Sequence, residues 1–227
     1  DNHVVGLFEQ GDGFNNDSAF GNMKIWVMAH LMWDKDLDSH KLMKEFASGY
    51  YGPAGQYMVQ YLDLLSKAAE KNKTYLSCFI GNGMPYMNQK VMDKANDLFD
   101  KAEASVKNNP TLLERVALER LALDHAWIIQ PMLDRSKAGK ARGMDMKALC
   151  EHYINLAKSS GNDYIGEAYK IPDSTYASLR SNAAIPPLPP SKRTPAAPEA
   201  AKGLKKTDWI DVQEDKMNLY QPGICTD

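Results

Sequence analysis

Val4-Val5-Gly6-Leu7-Phe8-Glu9-Gln10-Gly11-Asp12-Gly13-Phe14-Asn15-Asn16-Asp17-Ser18 sets the reading of the whole chain. Its first five residues are mostly β-branched or apolar and read as a short buried strand. The rest is rich in Gly, Asn and Asp, whose small polar side chains favour turns, so it reads as a loop at the strand's carboxyl end. A buried strand needs neighbours on both sides to satisfy its backbone groups, yet few other segments here resemble strands. The expectation is that the chain begins inside a larger domain.

Helical signals dominate downstream. From Ala19 to about Trp33, Met23, Ile25, Trp26, Val27, Met28, Leu31 and Met32 make a stretch apolar nearly all round, which predicts a central helix enclosed by other elements. Asp38 or Ser39 caps a second helix bearing Leu42, Met43, Phe46 and Tyr50, and Pro53 suits the first turn of a third with Tyr57, Met58, Tyr61, Leu62, Leu65 and Ala69. Asn88 opens a fourth with Val91, Ala95, Leu98, Ala102 and Val106 inward. Asn109-Pro110 begins a fifth that runs towards Arg135 and is kinked or ended by Pro131, and Asp145 caps a sixth. Six helical segments with short joints imply an antiparallel or orthogonal helical array. The run Ile185-Pro186-Pro187-Leu188-Pro189-Pro190 and the Pro- and Ala-rich stretch after it read as a linker. The predicted organisation is a strand and active-site loop at 1–18, a helical domain at 19–160, an irregular Pro-rich linker at 161–207, and a short extended segment at 208–227 leading to a further domain.

Composition narrows the partners. With 27 Lys and Arg against 29 Asp and Glu the formal charge is −2, so no long-range field draws the chain to nucleic acid or anionic membrane, and a neutral partner is expected. Cys78, Cys150 and Cys225 lie far apart with no CxxC pair, which points to neither a disulfide scaffold nor a zinc site. No apolar run approaches the roughly 20 residues of a membrane span. Gly11, Gly13 and Gly21 match no phosphate-binding fingerprint, and no metal or cofactor is expected.

Glu9, followed by Gln10 and Asp12, is the best candidate for chemistry, since a carboxylate at the carboxyl end of a barrel strand faces the site in that architecture. A carboxylate and an amide side by side can grip neighbouring sugar hydroxyls, and the carboxylate can serve as acid or base. The bland alternative is that Glu9 and Asp12 cap the next helix or bond turn amides. Glycoside hydrolysis usually needs two carboxyl groups across the scissile bond, and only one is well placed here. Tyr75, Phe79 and Tyr86 fall in an irregular stretch and are the candidates for a ligand-facing wall, Tyr86 foremost, with burial under the loop as the alternative. Trp26, Trp33 and Trp127 read as core. His30 and His125 read as core or boundary residues, and His3, His40 and His152 have no carboxylate or Cys arrangement to support metal or triad chemistry.

The stretches Gly6–Asp12, Trp26–Asp38, Glu45-Phe46 and Gly49-Tyr50-Tyr51-Gly52, then Ala95–Glu103, Glu114-Arg115-Val116, Leu121, Leu123 and Ala126, together resemble a family of uncharacterised bacterial proteins. These are distantly similar to family-67 alpha-glucuronidases. The resemblance implies a mainly α chain: a helical array following a terminal strand of an incomplete (β/α)8 barrel, within a larger, exported, glycoside-hydrolase-like protein. It implies a carbohydrate substrate, the rest of the parent protein (barrel and downstream domain) as partner, and a secreted or periplasmic location. Glu9 matches the family position at the barrel mouth, Gln10 and Asp12 match the adjoining loop, and the family's general acid would lie upstream. A non-catalytic module that supports the barrel, dimerises or holds a glycan is the competing reading.

Overall fold

The structure, a computed structural model of the chain, describes Gly6, Asn15 and residues 19–72, 86–165 and 169–186. All lie in the first of two units into which the chain divides, residues 1–188, the second being 189–227. Among the described residues there are seven α-helices: α1 Gly21–Trp33, α2 Ser39–Tyr51, α3 Gly55–Lys71, α4 Gln89–Val106, α5 Pro110–Ile129, α6 Met146–Ser159 and α7 Asp173–Ala184. A two-stranded antiparallel hairpin, β1 Tyr164–Ile165 and β2 Tyr169–Lys170, joins the last two helices, with Tyr164 opposite Lys170. The fold is mainly helical. The apolar run expected to be a barrel strand lies outside the described residues apart from Gly6, as does the segment 208–227.

Short polar side chains start the helices where the sequence places them. Asp38 accepts from the backbone N–H groups of His40 and Lys41, Asn88 from Val91, Asn109 from Leu112 and Asp145 from Ala148. Each satisfies N–H groups that have no partner within their helix. Pro110 takes the first position of α5, where its missing N–H costs nothing. Each helix packs on its successor in the chain, and α5 also meets α2 and α7. Gly55 permits the tight α2 to α3 corner, since a Cβ there would sit 2.2 Å from the Ala47 carbonyl oxygen.

The main core collects Tyr51, Met58, Tyr61, Met92, Phe99, Leu123 and Trp127, all buried, and a second cluster of Ile128, Cys150, Ile154, Tyr176, Leu179 and Ala183 ties α7 to α5 and α6. Trp127 is core as its pattern predicts.

Three expectations need correction. The helix α1 is not enclosed: it packs on α2, and only Gly21 and Met23 are buried along it. Trp33, expected in the core, is 93% exposed. All-round apolarity shows that a helix can bury every face, but the described chain supplies neighbours on one side only. The stretch 161–207 is not irregular throughout, because the hairpin and α7 fall within it, anchored by Tyr176, Leu179 and Ala183. α5 stops at Ile129, two residues before Pro131, as expected of a residue whose ring clashes with the preceding turn.

Candidate functional site

Glu9, Gln10 and Asp12 lie outside the described residues, and two described residues that follow them, Asn15 and Phe20, are each bonded to the helical unit. Upstream, the Asn15 side chain accepts a hydrogen bond from the Tyr164 N–H at 3.0 Å and donates from Nδ2 to the Tyr164 carbonyl at 3.3 Å. Tyr164 sits opposite Lys170, while the flanking Asp163 carbonyl accepts from Ile171 N–H, so the Tyr164 amide groups face away from β2. One amide side chain thus occupies the free edge of β1 as another strand would.

Downstream, Phe20 precedes α1 in the left-handed region, at φ 55° and ψ 28°, the sole non-glycine residue with positive φ among the described residues. That conformation costs about 1–2 kcal/mol for a residue with a Cβ, so its surroundings must define it. They do so in two ways. The Phe20 ring is buried, stacked on Tyr61 at 5.9 Å between centroids and edge-on to Tyr51 at 6.4 Å. Its N–H donates to the Glu119 carboxylate at 2.5 Å, and the other carboxylate oxygen accepts from the Tyr51 hydroxyl, also at 2.5 Å.

Glu119 is itself 1% exposed, on the face of α5 turned to α1 and α2. One turn earlier Arg115 donates to the Tyr50 carbonyl at the end of α2, with its guanidinium 4.2 Å above the Tyr50 ring. A cation there complements carbonyls left without helical partners. Next along, Arg120 donates to Asp100 at 2.7 Å, Glu103 at 3.1 Å and Asn96 at 2.9 Å on α4, while Arg142 donates to Asp124 at 2.7 Å. Burial lowers the Arg120 pKa, but Glu103, Asp124 and Asp100 more than offset it. Burial pushes Glu103 above the usual carboxylate range against the pull of Arg120 and Arg142. This network joins α4 to α5 and reads as structural, since its charges are paired with one another.

Of the four residues singled out from the sequence, Tyr86 is described. It is half-buried and packs against the main core just before α4. Burial, the neighbouring Tyr86 and the Glu119 carboxylate all raise the pKa of Tyr61, which stacks on Phe20. Tyr86 and the downstream end of the loop therefore share one side of the core.

Sequence reasoning missed Glu119, because a carboxylate in an apolar helix gives no signal until its partners from residues 20 and 51 are known. It also missed the pairing of His40 with a carboxylate: Nε2 lies 3.1 Å from Asp63 Oδ1 across α2 and α3. That pair lies in an open depression of about 430 Å³ that also contains Lys44, Ser48, Gln56 and Gln60. Ser48 is two helical turns from His40, too far for a hydroxyl to be activated by that imidazole. Among the described residues no cluster of His, Cys, Asp and Glu could hold a metal ion, and no helix is long and apolar enough to cross a membrane.

A family model described as a domain of unknown function, DUF4838, matches residues 1–63, which include the loop, α1, α2 and the first half of α3. No curated protein and no solved structure matches the chain.

Proposed function

We propose that the chain is the helical portion of a glycoside-hydrolase-like protein acting on polysaccharide or oligosaccharide, and that it contributes one edge of the sugar-binding site. The observation that carries the reading is the strained, buried junction at Phe20. A left-handed Phe held by a buried carboxylate gives the Glu9–Ser18 loop a defined exit into the helical array. Sites that must position a carboxylate to within half an ångström are built on such supports. Glu9 serves as the acid, base or hydroxyl-binding carboxylate, Gln10 and Asp12 bind neighbouring hydroxyls, and Tyr86 offers an aromatic wall. The second carboxyl group of a hydrolytic pair comes from the barrel that this reading places upstream, in an exported protein.

The test is turnover of acidic or decorated glycans by the natural polypeptide carrying this chain. Glu9→Gln should lower the rate by roughly 10²-fold or more, the range for loss of a positioned acid or base. Full turnover and unchanged glycan affinity in that variant would refute the role of Glu9. A non-catalytic reading, in which the helices support the barrel or form a dimer, is favoured by the exposed apolar side of α1. Glycan binding without product release would select it.

A further inference from the structure

The helix α1 buries one apolar side and leaves another open. Met23 and Val27 face the core, and Trp26 packs on Phe46 at 5.7 Å between ring centroids. On the opposite side Ile25, Met28, Ala29, Met32 and Trp33 fall at positions i, i+3, i+4, i+7 and i+8, the spacing of one continuous helical stripe. All five are exposed, Ile25 at 65% and Trp33 at 93%, and Leu37 extends the row beyond the helix.

We propose that this stripe is self-complementary and joins two copies of the chain, α1 against α1, antiparallel about a twofold axis between Met28 and Ala29. Three observations select a second copy as the occupant. The first is pattern. That axis lies midway between Ile25 and Met32, so Ile25 of each copy meets Met32 of the other, and both Met28 and both Ala29 gather at the centre. Ala29 is the smallest residue of the stripe and lets the two backbones approach there, which sets the spacing of packed helices.

The second observation is charge. The start of α1 carries Lys24 and has no acid in its first turn, whereas the end carries Asp34, Lys35 and Asp36, with Lys35 bonded to Asp36 at 2.7 Å. An antiparallel pair sets the positive start of each helix beside the negative end of the other, and the helix dipoles add to that attraction. A parallel pair would set like against like. The acids beside Trp33 also oppose an anionic lipid surface as the occupant. The third is area. The stripe and Leu37 present on the order of 600 Å² of apolar surface. A twofold pair buries it on both copies, about 1,200 Å² in all, at the lower bound for a specific interface and in keeping with a Kd of about 1–100 μM. This deepens the dimer alternative given above by naming its surface, and association is read without glycan, so it stands or falls apart from the role of Glu9.

Sedimentation equilibrium of the full chain from about 1 to 200 μM reads the association. A monomer–dimer equilibrium in that range is the expected result, and a chain monomeric throughout would overturn the proposal and leave the stripe to a different partner. Met28→Glu places two carboxylates at the axis and should raise Kd by roughly 30-fold or more with helical circular dichroism intact. An equally tight dimer in that variant would overturn the proposal as well. Direction is read from Trp33→p-benzoylphenylalanine, photolysed at about 200 μM and mapped by mass spectrometry. A product of dimeric mass joined to residues 21–25 of the other copy is expected. No such product, or one joined to residues 32–36 of the other copy or to another surface, would refute the antiparallel pairing.

Discussion

Replacing Glu119 tests the junction on which the candidate loop depends. Glu119→Ala removes the acceptor of two buried donors, the Phe20 N–H and the Tyr51 hydroxyl, each now bonded to it at 2.5 Å. A buried polar group left unsatisfied costs about 1–3 kcal/mol, so the pair amounts to roughly 3–5 kcal/mol once the lost side-chain packing is included. That is a large part of the about 5–15 kcal/mol that holds an ordinary domain folded. Glu119→Gln behaves differently. Its carbonyl oxygen can still accept from Phe20 and its NH₂ can donate to the Tyr51 oxygen, so the charge assistance goes and the Tyr51 O–H gives up the Glu119 acceptor, at about 1–2 kcal/mol. Urea unfolding followed by circular dichroism gives both numbers, with melting temperatures expected to fall by roughly 2–4 °C per kcal/mol in a chain of this size. Tyr51→Phe alone and combined with Glu119→Gln completes a double-mutant cycle. The reasoning fails if Glu119→Ala costs under about 1 kcal/mol, or if Gln is as damaging as Ala.

Gly55→Ala should destabilise by about 1–3 kcal/mol in the same urea assay, because its Cβ would meet the Ala47 backbone oxygen, which has no rotamer to move away. Arg120→Ala leaves Asp100, Glu103 and Asp124 facing one another without their shared cation, and should cost about 3–5 kcal/mol at neutral pH. That loss should shrink on acidification, when the carboxylates can protonate, and a loss independent of pH would contradict the charge argument. In alkali, burial pushes Tyr153 up to about 12 and raises Tyr61 and Tyr176 as well, above an ordinary tyrosine at 10.0. The folded chain then holds these protons at pH values where the unfolded chain has released them. Their contribution is intact below about pH 10 and is lost as pH climbs towards 12. Absorbance at 295 nm should show some of the 11 tyrosines ionising only as the helices melt, and uniform ionisation near pH 10 with intact helices would refute this.

Helix starts were legible because they are local. Asp38, Asn88, Asn109 and Asp145 each bond N–H groups two or three residues ahead, and a sequence displays that relation directly. The missed helix α7 shows the other case. It has no side-chain cap, and residues such as Ser174, Thr175, Ser178 and Asn182 favour turns as readily as helix. It forms because Tyr176, Leu179 and Ala183 reach the second core, a contact with residues more than twenty positions away. The misjudged Trp33 has a related cause, since hydrophobicity reports what a side chain can bury against and not whether a partner is present. Of the candidate site, the loop composition was visible, whereas its supports were not. Asn15 to Tyr164 and Phe20 to Glu119 join residues 149 and 99 positions apart.

Three polar side chains that tie neighbouring helices together sit on one helix. Arg115 and, one turn later on α5, the neighbours Glu119 and Arg120 reach the end of α2, the start of α1 and the middle of α4. An apolar α5 could hold the same neighbours, and replacing buried charges by well-packed hydrophobic residues is often neutral or stabilising. Stability alone therefore does not explain the polar set. Packing of the Phe20 ring fixes where the residue sits, and the N–H bond to Glu119 adds the direction that holds its backbone in the left-handed region, against a strain of about 1–2 kcal/mol. A charge-assisted bond to a carboxylate that Tyr51 also grips supplies direction as well as energy. The start of α1 is thereby specified to hydrogen-bond precision.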